Sequence, residues 1–152
     1  MAVLLDAPVR AALGAEIDRL RPLGRGVAWV APENLHLTLK FLGEVEEGRT
    51  AELTGSLTGA VAGLAPFEAV IEGLGGFPTP TRPRVLWAGV TASGEALGRL
   101  AARVEAALAA LGFAREGRPF SAHVTLGRVR RPRRNPALSA ALAAGAARSF
   151  GT

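Results

Sequence analysis

Residues Glu33-Asn34-Leu35-His36-Leu37-Thr38-Leu39-Lys40-Phe41-Leu42-Gly43 alternate apolar and polar side chains from Leu35 to Leu42, and a glycine closes the run. A period of two belongs to a β-strand. Leu37 and Leu39 turn to a core, while His36 and Thr38 face the other way. Pro32, Glu33 and Asn34 supply the turn that starts the strand. The pattern returns once. Phe120 to Val129 reads as a second strand and contains His123-Val124-Thr125-Leu126, followed at once by Gly127. These are the two histidines of the chain, and both stand in a His-aliphatic-Thr-Leu setting. One such histidine is more often a packed or exposed side chain than a catalyst. A matched pair is far more specific.

The segments around the two motifs predict a fold. Val3 to Leu5 reads as a strand. A helix then starts near Pro8 and carries Val9, Leu13, Ile17 and Leu20 at helical spacing, until Pro22, Gly24 and Gly26 end it. Val27 to Val30 is a short apolar run. A second helix is expected from about residue 46 to residue 64, with Leu53, Leu57, Val61 and Leu64 on one stripe. Residues 67–74 alternate, 75–83 are rich in Gly and Pro and read as loop, and 85–90 read as a strand. Residues 95–111 form a strongly amphipathic helix through Leu97, Leu100, Val104, Leu108 and Leu111. An arginine-rich turn, 130–134, leads into an alanine-rich, helical end. Each half of the chain thus holds a helix followed by a motif strand. This is no tandem array of the solenoid kind. The expectation is an α+β domain spanning 1–152, built from two similar lobes that face each other.

Such an arrangement puts two imidazoles and two hydroxyls around one cavity. Imidazole titrates near neutrality, so one ring can hold a proton while its twin lacks one. That suits in-line displacement at phosphorus, with a base on the attacking oxygen and an acid on the leaving one. Threonine hydroxyls donate to the non-bridging oxygens, where charge gathers.

Composition narrows the classes without choosing among them. With 152 residues, 49% of them hydrophobic, the chain can form a normal core. It has no cysteine, which excludes disulfides and thiolate metal sites. No run approaches about 20 apolar residues, the length a membrane span needs. Met1 to Leu5 lacks a basic leader and reads as a buried strand rather than a signal peptide. The net charge is +5, and Lys40 is the only lysine among the basic residues. Arginine forks suit phosphate oxygens, although GC-rich coding also enriches arginine alongside alanine and glycine.

Together with Pro83-Arg84-Val85-Leu86-Trp87, the two motif blocks resemble the two-histidine phosphoesterase superfamily. Within it they are most similar to the bacterial 2′-5′ RNA ligase family, whose better-supported activity is RNA 2′,3′-cyclic phosphodiesterase. The resemblance runs from about Val3 to Arg128. It implies a bilobal α+β fold: two pseudo-symmetric antiparallel sheets, flanked by outer helices, around a central cleft. It also implies a cytoplasmic, monomeric enzyme without metal or other cofactor, acting on RNA with 2′,3′-cyclic phosphate ends and leaving 2′-phosphate ends. By motif, His36 is the general acid and His123 the base. Thr38, Thr125 and Arg128 bind the phosphate, and Phe41 holds a nucleobase.

Strand parity opposes the last two assignments. Arg128 lies five residues beyond His123, so an unbroken strand aims it into the core, and a bulge at Gly127 is expected to correct it. Phe41 has no such glycine before it, and core packing is the competing reading. Ala122 stands where the family usually has proline, which loosens the start of the second strand without removing a catalytic group. Thr152 also comes before the closing strands that the resemblance leads one to expect.

Arg130, Arg131, Arg133 and Arg134 read either as an electrostatic rail for RNA phosphates or as a solvated loop. Trp29 and Trp87 lie in apolar strands, which favours core packing over base stacking. Gly73-Leu74-Gly75-Gly76 lacks the Gly-Lys-Ser/Thr of a phosphate loop. Two rivals to cyclic phosphate hydrolysis remain at this level: reversible 2′-5′ joining of RNA ends by the same groups, and a binding module without turnover. The second would be marked by damage to one motif, and both motifs are intact.

Overall fold

The computed structural model describes residues 1–92 and 95–152. Among these are four α-helices and one antiparallel sheet of seven strands. The elements run β1 (Ala2–Leu4), α1 (Ala7–Leu20), β2 (Val27–Trp29), β3 (His36–Thr38), α2 (Thr50–Val61), β4 (Ala69–Phe77), β5 (Val85–Ala92), α3 (Ala96–Ala110), β6 (His123–Val129), α4 (Pro136–Ala144) and β7 (Ser149–Gly151). Across the sheet the order is β1-β3-β6-β5-β4-β7. Strand β2 lies off this path, beside the far half of β6.

Three helices owe their places to apolar stripes. Val9, Leu13, Ile17 and Leu20 of α1, Leu97, Val104 and Leu108 of α3, and Leu138 and Leu142 of α4 join one buried cluster. The sheet contributes Leu37, Leu86, Ala88, Val124 and Leu126 to it. The full burial of leucines such as Leu13, Leu86 and Leu126 is worth about 2 kcal/mol each. Asn135 caps α4, its Oδ1 accepting the Leu138 N–H at 3.1 Å. Helix α2 buries no residue fully and lies outside α3, tied to it by Ser56 Oγ donating to Ala107 O. The helices that bury residues therefore share one face of the sheet. Its opposite face carries the polar positions of the motif strands.

The α+β class and the antiparallel strands match the sequence reading. The two expected sheets, however, are hydrogen-bonded into one, joined where β3 and β6 pair at Leu37 and Val124. Alternation shows which face a residue takes, but not whether neighbouring lobes share a ladder. The strand around His36 is also shorter than its pattern, because only His36–Thr38 keep ladder partners. Residues 75–77, read as loop, extend β4 instead. Strand β7, unexpected in the alanine-rich end, pairs with β4. No helix among the described residues is long and apolar enough to cross a membrane.

Candidate active site

Strands β3 and β6 are neighbours, and their antiparallel pairing sets the site. With Leu37 opposite Val124, the flanking residues meet crosswise, His36 toward Thr125 and Thr38 toward His123. The two histidines then lie on a diagonal, where neighbouring residues on adjacent strands stand about 7–8 Å apart, their Cβ atoms somewhat closer. A phosphoryl group fits between two such rings. Leu37 and Val124 are buried on the core side, whereas His36 and Thr38 are exposed and His123 and Thr125 half-buried on the open side.

Both imidazoles are held alike. His36 Nδ1 lies 2.7 Å from Asn34 O, and His123 Nδ1 lies 2.7 Å from Ser121 O. A carbonyl oxygen only accepts, so each Nδ1 carries the proton. Each Nε2 is left to take up or release another. Neither Nε2 has a protein partner among the described residues. Two rings with one tautomer, set on a diagonal and flanked by hydroxyls, are equipped for base work on an attacking oxygen and acid work on a leaving one at a single phosphorus.

The register of β5 against β6 brings Arg128 to the same face. Trp87 pairs with Thr125, but Leu86 pairs with Gly127 and Val85 with Arg128, so β6 holds one extra residue between Thr125 and Gly127. This is the bulge expected at Gly127. Beyond it Leu126 and Gly127 are both buried while Arg128 is exposed, so the alternation resumes with Arg128 on the open side. Glycine is needed there because a Cβ at Gly127 would meet Val27 Cγ1 at 2.7 Å. Phe41 is 85% exposed, and the core reading of it is corrected. Strand β3 ends at Thr38, and parity counted past that point has no meaning.

Two aromatic residues were missed or misplaced. Trp87, opposite Thr125, stands on the open face rather than in the core. Its indole lies across Gly75, where any Cβ would fall within the ring system. Its Nε1 is buried without a hydrogen-bond partner among the described residues. Phe77, at the end of β4, meets the Trp87 ring at 5.2 Å between centroids and the His123 imidazole edge-on at 5.1 Å. A glycine within a strand marks close approach by another group. Gly75 was that signal, obscured by the glycines on either side of the Leu74-Gly75 pair. Trp29 does pack against the core.

Behind the site, Lys40 ties the first motif to the segment that leads to the second. Its ammonium donates to both Glu105 carboxylate oxygens, at 2.7 and 2.9 Å, and to Ala114 O at 2.7 Å. Glu105 Oε1 also accepts the Glu116 N–H at 2.9 Å. The Lys40 bond holds the Glu105 carboxyl below the ordinary glutamate range, against the opposing effect of burial.

An antiparallel sheet open on one face, with twin His-x-Thr strands at its centre, defines a two-histidine phosphoesterase. The family model described as LigT-like phosphoesterase matches residues 3–87 and 89–152, and the chain belongs to that family. Relatives named RNA 2′,3′-cyclic phosphodiesterase from Archaeoglobus fulgidus and Aeropyrum pernix are 45% and 40% identical, over 83% and 80% of this chain and 68% of each relative. A crystal structure of a Thermus thermophilus protein superposes with a TM-score of 0.75 at 37% identity, over 89% of this chain and 76% of that one. Escherichia coli LigT complexed with 3′-AMP gives 0.68 at 30% identity, over 84% and 70%.

Proposed function

We propose that the protein hydrolyses the 2′,3′-cyclic phosphate at an RNA 3′ end to a 2′-phosphate and a free 3′-hydroxyl. The pairing of Leu37 with Val124, which sets His36 and Thr38 beside His123 and Thr125 on the open side, carries this reading. His123 Nε2 takes the proton of a water that attacks phosphorus. The P–O3′ bond breaks in line, and His36 Nε2 delivers a proton to the departing 3′ oxygen. The Thr38 and Thr125 hydroxyls and the Arg128 guanidinium hold the non-bridging oxygens, on which negative charge builds. Phe41 offers an exposed ring to the terminal base. The relatives named for this activity support the substrate class. The whole reaction runs on side chains of one 1–152 domain, a cytoplasmic monomer without a cofactor.

The experiment is incubation of an RNA oligonucleotide ending in a 2′,3′-cyclic phosphate, in EDTA, followed by analysis of the new end. Wild type should yield a 2′-phosphate, and His36→Ala and His123→Ala should leave the ring closed. A 3′-phosphate product would reverse the roles given to the leaving oxygens. An intact ring on RNA that still binds would make the protein an RNA-end binding module.

A further inference from the structure

The cationic positions on β6 continue past the site. Beyond the bulge, Arg128 stands on the open face, and Arg130 follows two residues later with its N–H still paired to Gly26 O at 3.0 Å. Two residues of extended chain advance about 6.6 Å and return to the same face. Beyond this step, Arg25, Arg130, Arg131, Arg133 and Arg134 line one open cavity of about 610 Å³, together with Asn135. All five arginines are exposed, and no carboxylate lines the cavity. The N-terminus of α4, with its partial positive charge, begins at the same place.

A solvated loop is the competing reading, and the gathering of five arginines around one cavity speaks against it. Arg19, Arg21, Arg49 and Arg148 each pair with a glutamate or aspartate. Among the described residues, none of the five around the cavity has an ion-pair partner. Five like charges held together without counter-charge repel one another, and an anion with several phosphates relieves that repulsion. No aromatic ring lines the cavity, so it has nothing to stack on a base and reads backbone alone.

We infer that this cavity is a second, non-catalytic subsite that takes internal backbone phosphates of a single-stranded RNA whose cyclic end lies at the histidine pair. The inference rests on the reading of that pair given above. From Thr125 to Arg131 the chain covers up to about 20 Å, which places the cavity some three nucleotides inward from the reacting end. The enzyme should therefore prefer an oligonucleotide to a mononucleotide carrying the same cyclic phosphate.

The test compares wild type with the triple variant Arg131→Gln, Arg133→Gln, Arg134→Gln on a mononucleoside 2′,3′-cyclic phosphate and on an RNA of about six nucleotides ending in one. The variant should lose about tenfold or more in kcat/KM on the oligonucleotide and stay within about twofold on the mononucleotide. With three single-strand contacts removed, its plot of log kcat/KM against log salt should be shallower by about 2. Parallel losses on both substrates, or an unchanged salt slope, would overturn the subsite. Anisotropy of a fluorescent single-stranded RNA, run alongside, needs no turnover. If wild type hydrolyses neither substrate, the catalytic reading fails. The subsite then stands if the variant binds RNA about tenfold more weakly, and falls if it does not. Equal loss of polyglutamate binding would mark a general polyanion patch and overturn the RNA assignment.

Discussion

At the scale of single residues, the motif side chains can be read from the sequence because strand parity is a local rule. His36 and His123 needed only the period of two around them, and both take the open face. The Nδ1 bonds to Asn34 and Ser121 carbonyls were not legible, since a main-chain partner leaves no mark in residue type. Trp87 and Phe77 show the opposite failure. Both are large and apolar, yet Trp87 stands on the open face because Gly75 clears the space beside its ring, and Phe77 packs against Trp87 and His123. The proposed role of Thr125 is testable at this scale. Thr125→Val removes the hydroxyl and keeps the shape, so kcat should fall by about 10²-fold with little change in KM. An equal rise in KM with kcat preserved would place the hydroxyl on the ground state instead.

Between elements, glycines and one ion pair set the geometry. Gly75→Ala would drive a methyl into the Trp87 indole and force β4 and β5 apart. The expected cost is about 1–3 kcal/mol, read as a lower midpoint in denaturant, with near-wild-type stability contradicting the packing described. The Lys40–Glu105 pair joins the end of β3 to α3, with 6% and 21% of the two side chains exposed. Glu105 has a folded-state pKa held below its unfolded value. Its contribution is therefore full above the ordinary glutamate range and lost as the pH falls through the lower folded value. Glu105→Gln should cost about 2–3 kcal/mol near neutrality, because it strands a buried ammonium. The difference from wild type should then shrink on acidification. A difference constant with pH would show that packing, not charge, joins these elements. The bulge at Gly127 was legible because the resemblance demanded an arginine that parity forbade, and glycine was the one residue able to reconcile them.

Over the whole molecule, the sheet has one face for stability and one for chemistry. Helices α1, α3 and α4 bury their leucines against the first, leaving the second to histidine, threonine, arginine and tryptophan. The α+β class and most of the succession of helices and strands along the chain followed from periodicity. The joining of β3 to β6 did not, because it depends on a contact between residues 87 positions apart, with no local signature. Strand β7 stayed hidden for a related reason, since three residues at the edge of β4 are too few to show a period. That distant contact is what makes two ordinary strands one site, and cooperation between the two imidazoles is the central claim. The decisive measurement is kcat/KM on the cyclic phosphate end for His36→Ala, His123→Ala and the double variant. If the rings act as one unit, each single change should cost about 10²–10⁴-fold and the double change no more than the worse single one. Losses that multiply, or one single variant near wild type, would contradict it.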